Sequence, residues 1–297
     1  MYEPIRYVLS SGGKRLRAVL TLLACEAVGG KASQAMNAAV AIELLHNFTL
    51  VHDDVMDHAD LRRGKPTVHQ RWDQNVAILA GDELIAQAYR SLLLTRSLRL
   101  PQILTVYTDA LVRVCEGQGF DKEFECRDDV TLTEYLDMIA KKTGRVIAAS
   151  LEIGALIGNG SPRQIESLRK FGERIGRAFQ VQDDLLDVVG DDEEFGKTIG
   201  GDIVEGKKTF LLLTALERAN RTDRVILRSV TPNNPQTTNV RIKLVREIYR
   251  RTGALDAARN EVERCTLRAQ GALKSLPESR SKAILAWLAQ QLVERSS

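Results

Sequence analysis

Two octapeptides, LVHDDVMD (50–57) and QVQDDLLD (180–187), set the strongest limit on how this chain folds. Each places aspartates at i, i+1 and i+4 among Leu and Val, a spacing that suits an amphipathic helix. On a helix, residues four apart share a face and lie about 6 Å apart along the axis. Asp53 therefore pairs with Asp57 and Asp183 with Asp187, while Asp54 and Asp184 stand about 100° to the side. The apolar neighbours direct these acids into a cleft, where an unneutralised carboxylate pair is costly. One such cluster alone reads as a solvated helix end. The same device repeated 130 residues later calls for a cation.

The rest of the chain is consistent with a helical frame. Aromatic residues make up only 5% of it, and no convincing period-two run with hairpin turns is found. Helical spacing predicts helices over 16–28, 34–57, 74–96, 101–118, 132–157, 163–189, 207–225, 239–250, 254–274 and 279–293. Gly29-Gly30 stop the first of these, and Pro101, Pro162 and Pro277 sit near helix starts, where proline is tolerated. TPNNPQTTN (231–239) reads as an exposed loop that interrupts helices without a change of composition. The expectation is a single all-helical domain over 1–297, a bundle of about ten or more helices. At 44% hydrophobic residues, a chain of this length buries a substantial core.

Composition also removes several classes. With 42 basic against 39 acidic residues and no Lys/Arg block, nucleic acid is a poor partner. No apolar run reaches 18 residues, so no membrane insertion is expected. Cys25, Cys115, Cys126 and Cys265 form no CxxC and read as reduced thiols of a cytoplasmic protein. No signal peptide is read at the start, and the charged GGKRLR arrives with almost nothing before it, so a first helix is expected to be missing.

Oxygen-only carboxylate pairs suit Mg²⁺, which keeps waters and shares its shell with phosphate oxygens; they suit zinc poorly. The nearby basic residues fit a polyanion. They are Lys14, Arg15 and Arg17 in GGKRLR, Arg62 and Arg63 in DLRRGKPT, and Lys197, Lys207 and Lys208 after the second motif. Taken singly, each of these is as readily a surface charge. The glycine pairs are not a P-loop, since no GxxxxGK[ST] follows a strand, and a nucleoside-triphosphate kinase is disfavoured. Two magnesium-binding faces, a diphosphate and an apolar cavity describe a device for ionising a carbon–oxygen bond.

These residues resemble the trans-isoprenyl diphosphate synthase (polyprenyl synthetase) family, and within it the short-chain enzymes that make farnesyl or geranylgeranyl diphosphate. The matching pieces are GGKRLR (12–17), ELLHNFTLVHDDVMDHADLRRGKPTVH (43–69), KKTG (141–144), FQVQDDLLDVVGD (179–191), GKTIGGDIVEGKKT (196–209) and AWLAQQLVER (286–295). Ala18 stands where the family usually has proline. The resemblance implies an isoprenoid-synthase-type bundle around a deep central cavity, a homodimer, and three Mg²⁺ per active site. It implies metal binding by Asp53, Asp57 and Asp183, with Asp54, Asp184 and Asp187 as direct or water-mediated ligands. Arg62, Lys142 and Lys197 would hold the allylic diphosphate, and Lys14, Arg17, His46 and Arg63 isopentenyl diphosphate. Thr143 and Gln180 would face the allylic cation, and Lys207 would help close the pocket. His52 is better read as a helix-packing or hydrogen-bonding residue than as a ligand; His58 and His69 carry no assignment.

Product length falls to the residues just before Asp53. Thr49 is small and lies one turn up. Phe48, about 7.5 Å from Asp53 along the axis, is the only large ring there. A lone aromatic at that position resembles archaeal-type twenty-carbon enzymes. Geranylgeranyl diphosphate is the expected product and farnesyl diphosphate the alternative. More distant alternatives are a class I terpene cyclase, a metal phosphohydrolase, and a non-catalytic subunit of a heteromeric synthase.

Overall fold

The computed structural model describes residues 2–189, 200–228 and 238–294. The fold is all-α, as the periodicity predicts. Its helices are α1 (Tyr2–Ser10), α2 (Leu16–Ala27), α3 (Ala32–Met56), α4 (Val68–Arg71), α5 (Gln74–Leu93), α6 (Leu100–Glu125), α7 (Leu132–Ile139) and α8 (Arg145–Ile157). They continue with α9 (Pro162–Val189), α10 (Gly201–Glu205), α11 (Phe210–Arg218), α12 (Arg221–Arg228), α13 (Thr238–Arg251), α14 (Ala254–Ala272) and α15 (Arg280–Glu294). Among the described residues no helix is long and apolar enough to cross a membrane. All four cysteines are free thiols.

Three local departures from the sequence reading have physical causes. The expected helix over 132–157 is interrupted by a π-turn at Ala140–Gly144, where one extra residue is looped into the ladder. The expected helix over 207–225 breaks after Arg218, because Asn220 accepts the Asp223 N–H at 2.9 Å and starts α12 anew. A two-residue hairpin also forms, pairing Leu61 with Pro66 and Arg62 with Lys65. Its central residues, Arg63 and Gly64, have φ of 55° and 73°, the geometry of a type I′ turn. Strands of two residues are too short to show alternation. The loop at 231–237 and Lys197 lie outside the described residues.

The chain forms two compact units. The first comprises Met1–Leu111, Ala149–Arg169 and Ser275–Leu285. In it α3 packs along α2 and α5. Ala35, Ala38, Ala39, Ala41, Ala77 and Ala80 are buried, and such small side chains let helix backbones approach closely. Larger apolar groups, Ile42, Leu45 and Leu84, complete the contact, each worth roughly 1.5–3 kcal/mol on burial.

The second unit comprises Val112–Ala148, Lys170–Lys274 and Ala286–Ser297. Here α11 packs on α7, α12, α13 and α14. Phe210, Leu211, Leu212 and Leu213 are all buried, so the first turn of this short helix is apolar on every side and works as a core element. The buried carboxylate of Asp223 is neutralised by Arg251, whose Nε donates to it at 2.9 Å.

Candidate active site

In the first unit, the last turns of α3 sort the three acids by depth. Asp54 is buried, Asp53 half-buried and Asp57 exposed. Asp54 accepts from Arg62 through Nε at 2.8 Å and Nη2 at 2.5 Å, both on Oδ1. Burial raises its pKa, and the Arg62 guanidinium works against that rise. The hairpin thus returns Arg62 onto α3 at Asp54.

The GGKRLR loop and the hairpin meet in the same unit. Arg63 donates to the Gly12 carbonyl. Its guanidinium lies against Gly13, where a Cβ would come within 2.7 Å of Nη1, and Gly13 has φ of 123°. Only glycine serves there, by space and by conformation. Arg15 holds Glu43 at 2.7 Å, and Arg17 Nη1 lies 3.1 Å from His46 Nε2. A guanidinium only donates, so Nε2 accepts and His46 is neutral. Burial pushes the His46 pKa down to about 2, reinforced by Arg17, Arg63, Arg62 and Arg15. Burial lowers Arg17 to about 10, with Glu43 opposing. Four guanidiniums thus act on one neutral histidine, a positive surrounding suited to an anion. Lys14 is exposed beside them.

Phe48 is buried and meets the His52 ring edge-on at 4.8 Å. His52 Nε2 lies 3.1 Å from the Ile78 carbonyl and sits where a side chain on Gly81 would be. His52 is therefore a packing residue that backs Phe48. Thr49 turns its hydroxyl to the His46 carbonyl at 2.8 Å.

In the second unit, α9 repeats the sorting: Asp183 is exposed, Asp187 half-buried and Asp184 buried. Asp184 Oδ2 accepts from the Tyr135 hydroxyl at 2.5 Å and the Phe210 N–H at 2.9 Å, and Oδ1 from Gln180 Nε2 at 3.3 Å. Burial lifts its pKa to about 7, followed by the charge of Asp202, against those three donors. Asp187 accepts the Asp202 N–H at 3.1 Å. The π-turn carries both Lys142, whose Nζ meets Asp121 at 2.5 Å, and Thr143, which donates to Gln180 Oε1 at 3.0 Å. It packs on α9 at Gly176, where a Cβ would fall 2.5 Å from the Gly144 Cα. Lys207, near Asp202 and Glu205, is disfavoured as a cation by burial, yet those acids carry it above the ordinary lysine range.

Spacing did not single out Tyr135, Asp121, Asp202 or Glu43. Each is chosen by a tertiary contact, and no local pattern marks it. Among the described residues no three His, Cys, Asp or Glu side chains converge as a ready-made metal cage. Each acidic helix instead carries an i, i+4 carboxylate pair that is more exposed than the aspartate between them. That donor set fits an ion such as Mg²⁺, which completes its shell with water and substrate phosphate.

The profile of the polyprenyl synthetase family matches residues 1–248. A short chain isoprenyl diphosphate synthase of Methanothermobacter thermautotrophicus is 43% identical over 293 residues, covering 97% of this chain and 88% of that protein. A geranylfarnesyl diphosphate synthase of Natronomonas pharaonis is 37% identical, covering 100% of this chain and 90% of that one. The crystal structure of geranylgeranyl pyrophosphate synthetase from Pyrococcus horikoshii Ot3 superposes with a TM-score of 0.95 at 38% identity. It covers 99% of this chain and 90% of that one.

Proposed function

The chain belongs to the polyprenyl synthetase family, and from that premise we propose that it is a Mg²⁺-dependent trans-prenyltransferase joining isopentenyl diphosphate to an allylic diphosphate. The observation that carries this reading is the matched sorting of the two motifs. In each, the middle aspartate is buried and held by hydrogen bonds, while the i and i+4 aspartates are more exposed. Asp53, Asp57, Asp183 and Asp187 would hold magnesium, three ions per site, with Asp54 and Asp184 behind them. Bound there, the metal neutralises the charge that gathers on a departing diphosphate.

The chain's own residues then have distinct tasks. Arg62 and Lys142 grip the allylic diphosphate; Lys197 joins them by resemblance. Arg17 and Arg63 grip the diphosphate of isopentenyl diphosphate, with Lys14 and the neutral His46 completing the anion pocket. Thr143 and Gln180 present oxygen atoms to the allylic cation, and Lys207 helps close the pocket. The isopentenyl double bond attacks the cation, and the released pyrophosphate takes the final proton, so no protein nucleophile is needed. The alkyl tail runs beside α3 until Phe48 stops it, with Thr49 leaving room above, which favours geranylgeranyl diphosphate. We further place the enzyme in the cytoplasm as a homodimer.

Incubating the purified chain with Mg²⁺, isopentenyl diphosphate and dimethylallyl, geranyl or farnesyl diphosphate tests the reading, with chromatography of the products. A twenty-carbon diphosphate is expected. Products of fifteen or twenty-five carbons would revise the length alone, and thirty carbons or more would refute a floor at Phe48. Absence of condensation would overturn the reading.

A further inference from the structure

We propose that Asp184, held by Tyr135, is a positioning residue that sets the hydrogen-bond polarity of Gln180 and Thr143, and is not itself a magnesium ligand. This rests on the function proposed above. Asp184 is 4% exposed, and its two oxygens already take hydrogens from the Tyr135 hydroxyl, the Phe210 N–H and the Gln180 amide. Binding a metal through them would cost those donors their acceptor inside the core.

In its ionised form Asp184 only accepts hydrogen bonds, and this fixes the two polar groups beyond it. Gln180 must turn its NH₂ toward Asp184, so its amide oxygen faces Thr143. Thr143 must then spend its hydroxyl hydrogen on that oxygen, as the 3.0 Å contact has it. The Thr143 oxygen is left with lone pairs only, and the Gln180 oxygen with its second lone pair. An incoming cation therefore meets acceptors and no opposing O–H dipole, and their orientation is set before substrate arrives. Tyr135 supports this from the far side. Burial first, and then the charge of Asp184, keep its phenol protonated, so it remains a donor.

Asp184→Asn tests the idea because it preserves shape while freeing the polarity. The new carbonyl can take the Tyr135 and Phe210 hydrogens, and the new NH₂ then faces Gln180. The Gln180 amide flips, donates to Thr143, and leaves the Thr143 hydroxyl hydrogen pointing outward.

The experiment compares the parent protein, Asp184→Asn, Tyr135→Phe, Thr143→Val and the double variant Asp184→Asn/Thr143→Val. Calorimetry measures, with Mg²⁺ present, affinity for an allylic diphosphate analogue bearing an ammonium nitrogen near the reacting carbon and for its neutral carbon isostere. Asp184→Asn and Thr143→Val should each reduce the preference for the cationic analogue about ten- to a hundredfold. Tyr135→Phe should reduce it less, and the double variant no further than either single one. The Mg²⁺ concentration giving half-maximal turnover should stay where it is in the parent. An Asp184→Asn protein that keeps its cation preference, or whose magnesium requirement rises, overturns the proposal. If Asp184→Asn does not fold, an unchanged cation preference in Thr143→Val or Tyr135→Phe overturns it instead. A parent protein with no condensation activity overturns the functional reading and this inference together.

Discussion

His46, on α3, responds strongly to its surroundings. In an unfolded chain His46 titrates near 6.5, whereas here burial and four arginines hold it down to about 2. Below pH about 6.5 the unfolded state takes a proton that the folded state refuses. Stability present above that pH is then lost on acidification, with a slope approaching about 1.4 kcal/mol per unit. His46→Gln should flatten this dependence, as read from denaturant midpoints at neutral and mildly acidic pH. Phe48 and its backing make a second prediction at this scale. Phe48→Ala should lengthen the product, and an unchanged chromatogram would remove it as the floor. Gly81→Ala would put a methyl 2.1 Å from His52 Nε2, expelling the ring from its contacts with Ile78 and Phe48. The expected result is a loss of about 1–3 kcal/mol in stability, with a broadened product distribution.

At the scale of elements, α7 and the π-turn behind it control the second motif. The start of α7 carries a capping box, with Thr131 accepting from the Glu134 N–H and Glu134 accepting from the Thr131 N–H. Thr131→Ala should cost about 1 kcal/mol, seen as a lower unfolding midpoint. The π-turn itself depends on Gly176, because α9 approaches to within contact of Gly144 there. Gly176→Ala forces the two backbones apart and separates Thr143 from Gln180. It should lower turnover far more than it lowers substrate affinity. An unchanged kcat would mean that the close approach serves packing alone.

For the whole molecule, the functional reading makes stability depend on its ligands. Ions and diphosphates that bind only the folded chain stabilise it by about 2.7 kcal/mol at a hundredfold excess over Kd. Mg²⁺ with inorganic pyrophosphate should therefore raise the unfolding temperature by several degrees, and a chelator should reverse the gain and abolish turnover. Asp53→Asn or Asp187→Asn should weaken that thermal response. A response unaltered in both variants would place the metal elsewhere.

Hydrophobic period and acid spacing were enough to read the helices around both motifs, because each signal is local: residues four apart on a helix meet whatever the rest of the chain does. The i, i+4 pairs and the basic residues of GGKRLR and DLRRGKPT were legible for the same reason. Which aspartate in each motif turns inward was not, since i and i+1 are alike until a neighbour buries one of them. Tyr135 reaches Asp184 across 49 residues, and Arg63 reaches Gly12 across 51. The π-turn and the two-residue hairpin likewise answer to packing and turn geometry, and no propensity foretells them. Local periodicity determined the helices and their acidic faces. Tertiary packing alone decided which polar groups lose water, and so which partner each must have.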